Sequence, residues 1–267
     1  MNIPESPRVI YQFNPLAEVS CQLSFPTILK IGTQEPAEFQ DRIRSQYPIY
    51  EIVQNLDLSP ELQNLLTKFS NPLTSDLIYQ FTSEDLAWRV FLHKNFIALA
   101  TRQYSRYEDF KNRLKILIGV FEEIYNPNFY SQVRLKYVDL IIQSELNIKE
   151  EWTELIQPYL ANELQIHEFS GSIIDFINII KLRMKDQGEI VLKHGLVHLE
   201  NEEKNIEEEG YLIETEFFTL PNNIQKGNDV WKRLDQYNAL SGRIFRWSIT
   251  KKLHDAMSPQ PIDNNPS

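Results

Sequence analysis

The chain has 267 residues, 42% of them hydrophobic and 12% aromatic, enough to build a substantial core in one large or two modest domains. Its formal net charge of −10 argues against nucleic acid as a partner, because binding a phosphate backbone needs lysines and arginines to displace counterions. A single cysteine excludes an intrachain disulfide, no apolar run approaches a membrane span, and the first residues lack the basic-then-apolar layout of a signal peptide, so the expected setting is cytoplasmic with no membrane contact.

Pro4 and Pro7 mark a polar arm, after which residues 18–25 alternate as a strand. Val19, Cys21, Leu23 and Phe25 share one face, and Glu18, Ser20, Gln22 and Ser24 share the other. On an apolar face Cys21 reads as a small buried hydrophobe rather than a nucleophile. Residues 36–47 predict a helix with Pro36 near its first turn and Phe39 and Ile43 on one face, and Ser59 followed by Pro60 predicts the start of another.

Residues 86–142 carry the clearest pattern. Leu86, Trp88, Val90 and Leu92 alternate with Ala87, Arg89 and Phe91, Lys94-Asn95 makes a two-residue break, and 96–102 resumes as an apolar run, which predicts a β-hairpin. Ser105 with Glu108 predicts a capping box, opening a helix whose Tyr107, Phe110, Leu114, Leu117, Ile118, Phe121 and Tyr125 fall on one face and which Asn126-Pro127 ends. The run 133–142 changes its apolar face midway, which predicts a bulge or a strand buried on both faces.

Beyond residue 145 the polarity changes. Residues 152–161 predict a helix interrupted by Pro158, and β patterns then cover 173–182, 189–199 and 211–220. A long helix is predicted over 229–245 with Val230, Leu234, Tyr237, Ser241 and Ile244 on one face, followed by a short helix capped by Ser248. The predicted class is therefore α+β, mainly antiparallel sheet with long helices packed on one face, built either as two meander-plus-helix halves, 1–145 and 146–257, or as one continuous sheet, with a disordered tail over 258–267.

The sequence holds no P-loop, Rossmann fingerprint, nucleophile elbow, CxxC pair or HExxH, and neither a cofactor nor a metal is expected. His194 and His198 point the same way from one strand, but four residues of strand separate them by about 13 Å, too far to share one zinc ion. The run ENEEKNIEEEG over 200–210 lacks the alternating ligands of a calcium loop and reads as a solvated hairpin connection. The candidate binding floor is the polar face of the first strand, Glu18 and Gln22, set against Arg89, Arg102 and Arg134. Glu18 would pair with an arginine if their strands are neighbours.

Four stretches carry a resemblance: YQFNPLAEVSCQLSFPTILKI (11–31), PAEFQDRIRSQYP (36–48), WRVFLHKNFIALATRQYSRYEDF (88–110) and RIFRWSITKKLHDAM (243–257). Together they resemble a sporadically distributed prokaryotic family of uncharacterised proteins of similar length. That resemblance implies no catalytic residues, and its patchy distribution implies mobile or conflict-related gene neighbourhoods such as phage defence or toxin–antitoxin pairs. The expected function is a non-enzymatic protein-interaction or regulatory subunit whose partner is another protein. The alternatives are a small-molecule or nucleotide-ligand binder with a pocket between sheet and helix, and an unrecognised hydrolase or nuclease using Glu18 or the histidines.

Overall fold

The structure, a computed structural model, describes residues 3–53, 77–168, 170–185, 188–201, 206–220 and 223–261. The helix expected at Ser59-Pro60 and the middle of the glutamate-rich connection lie outside the described residues. In chain order the elements are β1 (Val9–Tyr11), β2 (Leu16–Ser24), α1 (Leu29–Thr33), α2 (Ala37–Ile43), β3 (Ile49–Val53), β4 (Ile78–Thr82), β5 (Trp88–His93), β6 (Phe96–Thr101), α3 (Tyr107–Tyr125) and β7 (Gln132–Ile142). They continue with α4 (Trp152–Leu155), two short 3₁₀ turns, β8 (Asn178–Arg183), β9 (Gly188–Asn201), β10 (Ile206–Thr219), α5 (Asn228–Ser248), α6 (Lys251–Ala256) and β11 (Pro259–Pro261). β2 to β10 form a nine-stranded, mostly antiparallel sheet, and β1 pairs with β11 apart from it, so the α+β class holds.

The chain divides into two compact units that interleave in sequence. An inserted unit comprises Glu18–Arg134 and Thr219–Trp231, and a terminal unit comprises Met1–Ala17, Leu135–Phe218 and Lys232–Ser267. The boundary expected after residue 145 falls within the terminal unit.

In the inserted unit the strand order is β3-β4-β5-β6-β2. The hairpin β5–β6 turns at Lys94-Asn95 as its pattern requires, with Val90 opposite Leu99, and β6 pairs on its other side with β2, Cys21 opposite Leu99. One sheet face carries Val19, Cys21, Leu23, Val90, Leu92, Ile97 and Leu99, all buried. α3 buries Tyr107, Phe110, Leu114, Leu117, Ile118 and Phe121, the spacing the sequence predicts, and its apolar side chains each contribute roughly 1.5–3 kcal/mol on burial. Successive ring contacts run Phe25–Phe121–Tyr125–Phe39–Phe81–Tyr50 and join α3, α2 and the sheet.

Three local expectations change here. Leu86 is exposed, with φ of 60°, because it closes the Ser83–Trp88 turn instead of beginning the strand. The first residue before α3 is Arg106, with no side-chain cap, and Ser105 donates its hydroxyl to Asp109 rather than forming a box with Glu108. On the opposite sheet face Phe91, Ala98, Ala100, Gln80 and Thr82 are buried as well, so β4, β5 and β6 bury residues on both faces. At the far end of α3, Asn126 takes the left-handed conformation that ends the helix, as Asn does readily.

In the terminal unit the order is β7-β10-β9-β8. α5 buries the predicted Val230, Leu234, Tyr237, Ser241 and Ile244. It meets the strands through stacked Phe217 and Tyr237, a Thr215–Ser241 hydroxyl contact, and a hydrogen bond from Tyr137 to Asn238. β8 begins only at Asn178, and Ile174 is exposed, so the predicted run 173–182 is shorter than its apolar pattern. Phe176 instead lies over Gly195, where a Cβ would sit 1.8 Å from the Phe176 carbonyl oxygen; only glycine admits that approach. α6 is capped by Thr250, whose hydroxyl accepts from Leu253 N–H, while Ser248 donates to Ile244 O inside α5. The tail expected to be disordered contributes β11, with Val9 opposite Pro261 and Tyr11 opposite Pro259.

Candidate functional site

Glu18 lies on β2 just before Val19, which stands opposite Thr101 of β6, and on the next strand across Arg89 stands opposite Ala100. β6 separates β2 from β5. The Arg89 guanidinium therefore reaches Glu18 by passing over β6 at the level of Ala100, whose methyl leaves that path open. Arg89 Nη2 donates to Glu18 Oε2 at 2.6 Å, and Arg102 Nε stands 3.7 Å from the same oxygen. Glu18 is buried, its side chain 1% exposed, Arg89 is mostly covered at 12%, and Arg102 is 47% exposed. A buried carboxylate meets its desolvation cost only with a close, hydrogen-bonded cation, which Arg89 supplies.

Three of the five candidate residues thus come together. Gln22 shares the face but donates to Ser24, and Arg134 donates to Gln132 of its own strand. The face is extended by Gln80, which donates to Thr82 and to Glu51 of β3. Cys21 is fully buried and its thiol is pushed far up by desolvation, which leaves it without nucleophilic character.

The two histidines separate. His194 is buried and bonded to Tyr211: Tyr211 donates its hydroxyl to Leu160 O at 3.0 Å, so in the 3.0 Å contact with His194 Nδ1 the imidazole N–H donates. Burial lowers the His194 pKa, opposed by nearby Glu163, and the ring is neutral at pH 7. Among the described residues no three His, Cys, Asp or Glu side chains are placed to hold a metal ion.

Two features went unmarked in the sequence. Asp139 of β7 is a carboxyl only 8% exposed, and desolvation raises its pKa to about 8. Its position inside the apolar run Val138-Asp139-Leu140-Ile141 was the available signal. The second is the outer edge strand β3, where Ile49, Tyr50 and Ile52 are 37%, 37% and 45% exposed. A cavity of about 220 Å³ in the terminal unit, lined by Phe13, Pro15, Leu140, Ile142 and Leu146 among others, is open and mainly apolar.

No family model and no curated protein matches the chain. Among solved structures, one described as "KH domains" aligns with 94% of this chain and 67% of that chain at 11% identity, with a TM-score of 0.18, a value at which neither fold nor function carries over.

Proposed function

We propose that this chain is a non-enzymatic protein-interaction or regulatory subunit, a member of the sporadic prokaryotic family its motifs resemble, acting in the cytoplasm within a mobile or defence-type gene neighbourhood. The observation that carries the reading is the β3 edge. β3 stands last in its sheet, so one side of its backbone faces no other described strand, and three of its four exposed residues, Ile49, Tyr50 and Ile52, are apolar or aromatic. Natural edges are usually blunted by lysine, proline or a bulge, as β8 at the other end of the order is by exposed Lys181 and Arg183. β3 carries one charge, Glu51, and Tyr50 ends the aromatic row of the inserted unit, an anchor of the type that dominates protein interfaces. An extended segment of a partner protein adding to this edge would gain backbone hydrogen bonds and side-chain contacts together.

The enzymatic alternative loses support because the carboxylate it would use, Glu18, is already bonded to Arg89. The open cavity beside β7, about 220 Å³, is smaller than the roughly 300–1,000 Å³ usual for ligand pockets, and is lined by strand and loop residues rather than by a sheet and a helix.

The test is recovery of native partners with the tagged full chain expressed at its own level. Ile52→Lys places a charge on the edge without touching the core, and is expected to lower recovery of the partner at least tenfold while the circular dichroism spectrum and melting point hold. Full retention of the same partner by Ile52→Lys would sink the edge as the interface.

A further inference from the structure

In the terminal unit, the connection that leads into β8 is bonded to the sheet around a buried imidazole. His194 is 2% exposed; its Nδ1–H donates to the Tyr211 hydroxyl at 3.0 Å, and Tyr211 in turn donates to Leu160 O at 3.0 Å. Three residues further on, a 3₁₀ turn at Glu163–Gln165 is tied to β8 by Asn178, whose Nδ2 donates to Glu163 Oε1 at 2.8 Å. Asn178 stands directly opposite His194 in the β8–β9 ladder, which puts their Cβ atoms about 5 Å apart on one face and brings the Glu163 carboxylate to the side of the imidazole.

The other Glu163 oxygen, Oε2, is sealed from solvent and meets no hydrogen-bond donor. Among the described residues no hydrogen bond reaches His194 Nε2 either, and that nitrogen is where an added proton would go. Other charged groups near the ring are committed or distant. Lys193 points to the opposite face and pairs with Glu214 at 3.0 Å, and Glu209, on the Tyr211 face of β10, accepts from Trp152 Nε1 at 3.4 Å. His198 shares the His194 face of β9 but stands four residues along, about 13 Å away. His167 and Glu168 lie beyond the turn and are exposed. The turn's own backbone bonds, from Leu164 to Ala161, Gln165 to Asn162 and Ile166 to Glu163, stay inside it. Among the described residues its hydrogen-bonded tie to the sheet is therefore the Asn178–Glu163 bond. We propose that the turn Glu163–Gln165 is an acid-released cover, which lifts from β8 when His194 takes up a proton at Nε2.

An imidazolium cut off from water costs more than a neutral ring. Burial therefore lowers the His194 pKa, and the nearby Glu163 charge offsets only part of that effect. Lifting the turn breaks one side-chain bond, whereas reaching water through the β8–β9 ladder would break several backbone bonds. Once lifted, a single turn has no helical stability of its own. The closed state binds the His194 proton less tightly than the open one, whose imidazole titrates near its ordinary value of about 6.5. Closure is therefore complete above about pH 6.5 and is lost as pH falls toward the lower, closed value.

Hydrogen exchange of the full chain between pH 5 and 8, followed by NMR and corrected for intrinsic exchange rates, tests this. The Leu164, Gln165 and Ile166 amides are expected to lose protection by up to about tenfold per pH unit below pH 6.5, while the β5–β6 hairpin keeps its own. The ring carbon shifts of His194 in the same samples are expected to titrate below pH 6.5, together with that loss. His194→Gln keeps a donor for Tyr211 and should flatten the profile. Glu163→Gln keeps the acceptor for Asn178 and should carry the fall to lower pH, because it removes the charge that favours the imidazolium. His167→Gln, two residues beyond the turn, should leave the profile as it is. A flat wild-type profile, an unchanged slope in His194→Gln, or a parallel loss in the hairpin would overturn the cover. So would a His194 ring that titrates in the wild type while the turn amides stay protected, a result that needs no variant to fold.

Discussion

Of the carboxyl groups buried in interior strands, Glu18 on β2 and Asp139 on β7 are treated in opposite ways by their surroundings. Glu18 is met by the Arg89 guanidinium at 2.6 Å, with Arg102 at 3.7 Å, whereas no ion pair reaches Asp139 among the described residues. Desolvation costs each group several kcal/mol in its charged form. For Glu18 a partner offsets that cost; for Asp139 the proton does, which is why its pKa climbs to about 8. The first arrangement makes a fixed part of the fold, and the second makes stability depend on pH.

The largest effect is expected from breaking the paired site. Arg89→Ala leaves Glu18 buried without its nearest cation, and denaturant unfolding is expected to show a loss of about 3–5 kcal/mol. Replacing both partners together, as Glu18→Leu with Arg89→Leu, removes the charge along with the need to compensate it, and is expected to recover most of that loss. If the double variant is no more stable than Arg89→Ala, the ion pair is not what the face depends on.

At the unpaired site the expected change has the opposite sign. Asp139→Asn keeps the shape and removes the group whose folded pKa stands above its unfolded value. The wild type loses stability as pH rises from the unfolded pKa near 3.9 toward about 8, at a rate of about 1.4 kcal/mol per pH unit. The asparagine variant should therefore match the wild type near pH 4 and exceed it by on the order of 4 kcal/mol near pH 7. Melting curves at pH 4, 6 and 8 read this directly; a difference that does not vary with pH would mean Asp139 is not buried in its neutral form.

Both sites show how far the residues alone carry the fold. The β5–β6 hairpin, α3, α5 and the buried face of β2 follow from period-two and helical spacing, because each keeps its apolar side chains on one continuous face. The Glu18–Arg89 contact was legible as a residue set, although its partner strand lay beyond reach: the pairing depends on β6 standing between β2 and β5, which no local pattern encodes. Helix ends were misread where a tertiary contact outbid the local one, as when Ser248 bonds back to Ile244 and leaves Thr250 to cap α6. β11 was missed because two prolines read as tail, yet pairing at an outer edge asks little of their missing donors.

The smallest effect concerns the path between the partners. Ala100 stands opposite both Arg89 and Ser20, and Ala98 stands opposite Phe91 and Gln22 two residues along the same face. Both are buried, so Ala98→Leu and Ala100→Leu each overpack the face by a similar volume, at a cost of about 1–3 kcal/mol. Only the second obstructs the guanidinium. Ala100→Leu should therefore couple to the charge pair, costing about 1 kcal/mol less in the Glu18→Leu, Arg89→Leu background than in the wild type. Ala98→Leu should cost the same in both. Equal coupling for the two alanines would show that Arg89 reaches Glu18 by some route other than over Ala100, and the small side chain there would then be a matter of packing alone.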